Sequence, residues 1–377
     1  MKTLNKMFLV IFALTFFVMC TKQEDKNILK IGEFGSLTGS EATFGVSTHE
    51  GIMLAIDELN AAGGIQGKKL KIITVDDQGK AEEAATAVTK LITSDGVIAI
   101  LGEVASSRSL AAAPIAQRYQ IPMISPSSTN PKVTQVGDYI FRTCFIDPFQ
   151  GKVMANFAIH KLKAKRVAIL RDVKSDYSVG LAEFFKKTFE ENGGKIVSDI
   201  SYTGGDVEFK AQLTTIRSKK VDAIFVPGYY TEVGLIARQA KELGIKAPLL
   251  GGDGWDSERL TEIAGNALDN SYFSNHYSPE STDPKVIDFV SRYKKVYGKI
   301  PDGLAAMGYD AALILIEALK QTKNQTPQEI RAALANIKNF QAVTGNISFN
   351  DQRDAEKAAV VIVVKNKKFS FIETVHP

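Results

Sequence analysis

The chain has 377 residues, 46 Lys and Arg against 42 Asp and Glu, a formal charge of +4 and 45% hydrophobic residues. Without a dense Lys/Arg stripe, that balance excludes a protein built to neutralise nucleic-acid phosphates. No segment supplies the about 20 consecutive apolar residues of a membrane-spanning helix, and the length exceeds one comfortable hydrophobic core, so two domains are expected.

The first elements concern location. "MKTLNK" carries two lysines and no acid, "MFLVIFALTFFVM" is apolar, and Cys20 opens onto the polar "TKQEDKN". A run this short behind a basic lead-in reads as a secretory signal. A cysteine at its end resembles the leaders of bacterial lipoproteins, although Phe17-Val18-Met19 departs from their usual approach to the cysteine. The expectation is a signal peptide over 1–20, lipidation of Cys20 and an extracytoplasmic location in the periplasm or at the cell surface; ordinary secretion with cleavage nearby is the alternative. Loss of Lys2 and Lys6 would take the charge from +4 to +2, and Cys144 would be left without a disulfide partner.

From Asn27 onward strand patterns alternate with helix patterns. "ILKIGEFG" and "KLKIITVDD" flank "STHEGIMLAIDELNAAGGI", in which Ile52, Ala55, Ile56 and Leu59 share one helical face and Gly63-Gly64 form a stop. Helix "AEEAATAVTKLITSDG", strand "VIAILG", helix "SRSLAAAPIAQRY" and strand "IPMISP" follow, a βαβ series that predicts a parallel sheet covered on both faces. The alternation restarts at "KRVAILRD" and continues through "LAEFFKKTFEENGG", "KIVSDISY", "FKAQLTTIRSKK", "VDAIFVPG", "VGLIARQAKELG" and "APLLGGDG". Two α/β lobes are expected. The tail adds helices "PKVIDFVSRYKKVY", "GLAAMGYDAALILIEALKQT" and "TPQEIRAALANIKNF", then β-like "GNISF", "AVVIVVKN" and "KFSFIET"; periodicity does not assign these to a lobe.

In open parallel sheets ligands bind outside the carboxyl ends of strands. That rule nominates "GSLTGSEATFG", "DDQGK", "GEVASSRS", "SPSSTN", "GYYTEV", "GGDGWDS" and "RDVKSDYSVG". In "GEVASSRS", Ser106 or Ser107 is either a helix N-cap or part of an anion site at the helix N-terminus, and both readings use the same geometry. Ser127, Ser128 and Thr129 of "SPSSTNP" offer hydroxyls that donate and accept, or simply form a turn before Pro131. Asp253 lies between glycines, suited to an ammonium or to an Asx turn. Tyr229 and Tyr230 either cover an apolar side chain, face a cation, or are core residues. Asp76 and Asp77 read as solvated or capping acids.

Enzyme signatures are missing. There is no Gly-x-Ser-x-Gly, so Ser106 and Ser107 have no nucleophile elbow. His49, His160, His276 and His376 show no metal spacing, and neither Walker A nor Gly-x-Gly-x-x-Gly occurs. No cofactor, no metal and no enzymatic activity are expected.

"IGEFGSLTGSEATFG", "DELNAAGGIQGKKL", "LGEVASSRSLAAAPIAQRYQIPMISPSSTNP", "FVPGYYTEVGLIARQAKELGI" and "GYDAALILIEAL" resemble the extracytoplasmic binding proteins of branched-chain amino acid ABC transporters. The resemblance implies a type I periplasmic-binding fold, two doubly wound parallel-sheet lobes joined by hinge strands and closing over a ligand. It implies lobe 1 at 28–147 and 277–345, and lobe 2 at 148–276 and 346–377. Ser107 matches a serine that holds the ligand carboxylate, Ser127, Ser128 and Thr129 the loop that touches carboxylate and ammonium, Tyr229 and Asp253 positions that meet the ammonium, Tyr177 a wall residue, and Phe44 a place where tyrosine is frequent. Asp253 stands where such proteins often carry glutamate, Gly79 and Ala105 replace their small disulfide, and Arg108 and Trp255 add a charge and a ring near the cleft. The implied function is delivery of an amino acid or similar small zwitterion to an ABC permease and its ATPases, with contact to the membrane through a lipid anchor only. A sensor using the same cleft to signal to a receptor or kinase is the alternative.

Overall fold

The apolar runs of the first third become a wholly parallel sheet in the computed structural model, which describes residues 27–377; the expected signal peptide and Cys20 lie outside the described residues. Strands β1 (Ile28–Gly35), β2 (Lys69–Asp76), β3 (Ala99–Leu101), β4 (Met123–Ser125) and β5 (Ile140–Arg142) stand in the order β2-β1-β3-β4-β5. Helices α1 (Ala42–Ala61), α2 (Ala81–Thr93) and α3 (Ser106–Arg118) make the crossovers, with a single turn, α4 (Lys132–Gln135), before β5. Gly63 and Gly64, at φ +104 and +76, end α1 where expected. Its start lies earlier than the periodicity indicates, because Phe44 in the first turn is buried and belongs to the apolar cluster of the second sheet. Asp76 accepts from the backbone N–H groups of Leu37 and Gln78, at 2.9 and 2.8 Å, a capping acid at a strand end.

The second sheet repeats the plan. Parallel strands β6 (Arg166–Asp172), β7 (Lys195–Tyr202), β8 (Ala223–Phe225), β9 (Leu249–Gly251) and β10 (Ser271–Asn275) alternate with α6 (Asp176–Glu191), α7 (Lys210–Ser218), α8 (Tyr230–Glu242) and α9 (Glu258–Ala264). Helix α5 (Asp147–His160) precedes β6, ahead of the restart at "KRVAILRD". In each sheet the first strand is flanked by the next two, so both have a topological switch point at which loops on opposite sides diverge.

After α10 (Pro284–Tyr297), α11 (Gly303–Lys320) and α12 (Pro327–Ala335), a short hairpin of β11 (Phe340–Ala342) and β12 (Gly345–Ile347) follows. The helices return to the first sheet, where Phe289, Ile314, Leu315 and Ile330 join one apolar cluster with Ile31, Ile52, Ile56 and Leu101. Helices α1 and α11 touch backbone to backbone. A Cβ at Gly51 would meet the carbonyl of Ala305, and one at Gly308 the carbonyl of Thr48, so only glycine fits this contact. The chain then goes back to the second sheet as β13 (Ala359–Lys365) and β14 (Lys368–Val375), antiparallel additions in the order β14-β13-β10-β9-β8-β6-β7. It thus crosses between the two units three times, after β5, after β10 and before β13. The result is the two-lobed α/β architecture expected from the alternation.

Candidate functional site

The carboxyl ends of the two sheets face each other across a narrow cavity. On the first side, Phe44 comes from the opening turn of α1, Val104 and Ser106 from the β3–α3 connection, Ser127 from the loop after β4 and Leu304 from the first turn of α11. On the second side, Tyr177 comes from the first turn of α6, Tyr229 from the N-cap of α8, and Asp253 and Gly254 from a 3-10 turn that follows β9. Every contributor except Leu304 thus lies at or just beyond the end of a parallel strand, as the strand-end rule requires.

Asp253 is the charged group of this cavity. Gln150 Nε2 donates to Oδ1 at 2.8 Å, Ser127 Oγ donates to Oδ2 at 3.3 Å, and His276 Nε2 lies 3.0 Å from Oδ2. Burial alone would raise its pKa; hydrogen bonds from His276, Gln150 and Tyr177 outweigh burial and hold the carboxyl below its usual range, hence ionised. Tyr177 Oη accepts from the Gly254 N–H at 3.2 Å, and burial pushes the phenol well above its ordinary value, so it stays neutral. The Tyr177 and Tyr229 rings stack at 5.3 Å with planes 4° apart, and Phe44 meets Tyr229 edge-on at 5.5 Å. These rings close an apolar end of the cavity together with Val104 and Leu304.

The serine-rich loop opposite behaves differently from a capped helix start. The N-cap of α3 is Ala105, without a side-chain capping bond, so neither Ser106 nor Ser107 plays the cap role. The Arg108 N–H bonds the Ala105 carbonyl at 3.1 Å and the buried Glu103 carboxylate accepts from the Ala105 N–H; the end carries the positive pole of the helix dipole. Ser106 lines the cavity and accepts from the Asn130 N–H at 3.2 Å. Ser107 reaches across to the other lobe, where its Oγ donates to Asp176 Oδ2 and accepts from the Asp176 N–H, both at 2.9 Å. Ser128 is occupied with the carbonyls of Glu103 and Val104, at 2.9 and 3.0 Å. Thr129 is buried beside Asp147, whose carboxyl burial drives up to about 8 and the threonine hydroxyl draws back only in part.

Five expected residues, Phe44, Ser127, Tyr177, Tyr229 and Asp253, therefore surround one cavity, whereas the side chains of Ser107, Ser128 and Thr129 do not line it. Arg108 is 5% exposed and tied to Glu41 at 2.6 Å, Glu103 at 3.1 Å and the Gly79 carbonyl at 3.2 Å, behind the wall rather than in it. Trp255 is fully buried in the second core and donates from Nε1 to the Val226 carbonyl at 3.0 Å. Cys144 is buried, and that burial raises its thiol to about 12. Sequence reasoning missed Leu304, Gln150 and His276. Leu304 opens a helix read as core; His276 sits just past the end of a parallel strand, where the strand-end rule would have found it. Among the described residues, no group of three or more His, Cys, Asp and Glu is arranged to hold a metal.

A model of the periplasmic binding protein family matches residues 28–368. The leucine-binding protein LivK of Thermotoga maritima has a similar fold with a TM-score of 0.89 at 40% identity, covering 93% of this chain and 99% of its own. The branched-chain amino acid transporter substrate binding protein LivJ of Streptococcus pneumoniae, solved with isoleucine, gives 0.89 at 37% identity over 93% of this chain and 100% of its own. The leucine-, isoleucine-, valine-, threonine- and alanine-binding protein of Pseudomonas aeruginosa is 31% identical over 328 residues, 86% of this chain and 87% of that protein. Since the match runs through both sheets, their crossings and the cavity between them, the chain belongs to the periplasmic binding protein family, as a substrate-binding protein of ABC transporters.

Proposed function

We propose that the cavity takes an α-amino acid with an aliphatic side chain and that closure of the lobes over it presents the loaded protein to an ABC permease. One observation carries the reading: an ionised Asp253 on one wall faces the uncapped N-terminus of α3 on the other, with Phe44, Val104 and Leu304 between. A zwitterion presents matching chemistry, its ammonium to the carboxylate, its carboxylate to the helix dipole and its side chain to the apolar end. The aliphatic amino acids in the names of the relatives point the same way.

In this reading Ser127, Tyr177, Tyr229, Phe44 and Asp253 contact the ligand. Ser128 and Thr129 shape the loop, and Ser107 acts through closure. Bonds between the lobes support that division: Ser107 with Asp176, Asn130 Nδ2 to the Asp176 carbonyl at 2.8 Å, Thr43 Oγ1 with Ser257 Oγ at 2.9 Å, and Thr231 Oγ1 to the Ser40 carbonyl at 2.7 Å. A ligand that touches both walls favours the state in which these bonds form. The proposal keeps the lobes at 28–147 with 277–345 and 148–276 with 346–377, and includes a Cys20 lipid anchor holding the protein outside the cytoplasm. Thermal-shift screening against amino acids and small carboxylates tests it. A ligand that binds only the folded form raises the melting temperature, and aliphatic amino acids are expected to do so; a shift with carboxylates alone would overturn the ligand class.

A further inference from the structure

A carboxylate facing a ligand works only while its charge and rotamer are held, and at Asp253 that hold runs through a segment that crosses between the lobes. His276 directly follows β10, where the chain leaves the second sheet for α10. Its ring is 3% exposed and stacks on Phe145 at 3.7 Å with planes 29° apart. Phe145 lies on another crossing, between β5 and α5, so the two crossings pin the imidazole between them. Nε2 is 3.0 Å from Asp253 Oδ2, while Nδ1 is buried without a hydrogen-bond partner.

That geometry selects one tautomer. Asp253 is an acceptor only, so Nε2 carries the proton and donates it, and Nδ1 keeps its lone pair. Burial, the first cause, lowers the pKa of His276 from its ordinary 6.5, against the pull of Asp253; Lys357 lowers it further. The other titratable groups around it are Glu356 beside Lys357, Glu280 and Asp283 on the way to α10, and His376 beyond β14, which line the same cavity behind the ring. Asp147 of α5 is pushed up to about 8, by burial first and by the Asp253 charge as well, and so is protonated at neutral pH.

We infer that His276 is a positioning residue for the ligand's amine: as the neutral Nε2–H tautomer it keeps the Asp253 carboxylate oriented and its charge uncancelled, and a proton gained at Nδ1 converts the two into a neutral ion pair that releases an ammonium. The inference rests on the amino-acid reading above. It makes acid a release signal for the ligand, separate from unfolding.

Calorimetric titration of the purified protein with L-leucine from about pH 8 down to about pH 4 tests it, with His276→Gln and His276→Phe alongside. Glutamine keeps an N–H donor but takes no proton. Because burial lowers His276 below the ordinary 6.5, the wild type is expected to lose about tenfold in affinity only at the acid end of the range, one titration unit's worth. His276→Gln should stay near wild-type affinity at neutral pH and lose the acid drop, whereas His276→Phe should bind weakly throughout. An acid drop of the same size in His276→Gln, or a flat wild-type profile, overturns the role of His276 and leaves the amino-acid reading standing. Failure of leucine, isoleucine and valine to bind the wild type at any pH overturns both. Should His276→Phe fail to fold, the glutamine variant decides alone.

Discussion

The two walls of the cavity differ in where they keep their charge. On the first, Phe44, Val104, Ser106, Ser127 and Leu304 present apolar and hydroxyl groups, and the charges lie behind them, Arg108 being clamped between Glu41 and Glu103. On the second, Asp253 places an ionised carboxylate at the surface of the cavity, balanced only by neutral donors. The first wall is thus suited to shape and backbone dipoles, the second to an ionic contact whose strength rises as closure excludes water. Charge buried behind a wall serves stability; charge on the wall is what the proposed amino acid would meet.

Arg108→Ala should have the largest effect and break the first half of that distinction if it fails. Removing one partner of a buried ion pair costs about 3–5 kcal/mol, so denaturant unfolding should show a loss of that order while the folded fraction keeps its ligand affinity within a few-fold. A variant of unchanged stability that loses binding would put Arg108 on the recognition side. Asp253→Ala should do the reverse. A charge-assisted hydrogen bond is worth about 1.5–3 kcal/mol, so calorimetry is expected to show amino-acid affinity falling on the order of a hundredfold with the fold intact; near-wild-type affinity would remove the ionic contact from the second wall.

Asp147→Asn sharpens the comparison on the pH axis. The folded-state pKa of Asp147 is raised to about 8, chiefly by burial, so its protonated form supports the fold. That contribution is complete below the unfolded value near 3.8 and is lost as pH rises through about 8. Melting curves of the wild type should therefore decline across this window, and those of the variant decline less, with a gain of a few degrees at about pH 8. A variant whose melting temperature follows the wild type would show that Asp147 is not strained by burial. The smallest effect is expected for Ser107→Ala, which removes bonds between lobes rather than a ligand contact. Ser107 makes two bonds to Asp176, one of them to its carboxylate; on a part-exposed surface their loss is worth about 1 kcal/mol or somewhat more, so affinity should drop roughly tenfold, mostly through faster ligand release in stopped-flow traces. A hundredfold loss would return Ser107 to the ligand's first contacts.

Much of the fold was legible because parallel sheets write continuous apolar runs and their helices a 3.6-residue period. "ILKIGEFG" became β1 and "KIVSDISY" became β7 to the residue. The loops were legible only as locations. Strand ends named Ser127, Tyr229 and Asp253, but which way each side chain turns depends on partners from distant segments. Ser106 and Ser107 are adjacent and alike in chemistry, yet one faces the cavity and the other bonds Asp176 across the cleft. Arg108 and Trp255 looked like additions to the cleft because proximity in sequence says nothing of direction, and each turns into its own lobe to satisfy its polar atoms. His276 escaped notice because its meaning lies in a contact with Asp253, two elements away along the chain.

The return of α10–α12 to the first sheet also sets an order of assembly. Until those helices have been made, Ile31, Ile52, Ile56 and Leu101 lack the partners that complete their cluster, although β1–β5 were synthesised long before. The parallel strands β6–β10, by contrast, are made with their own intervening helices in one uninterrupted stretch and wait only for the edge strands β13 and β14. A nascent chain would therefore hold its first half loosely while its middle consolidates, with apolar surface open to chaperones or to aggregation.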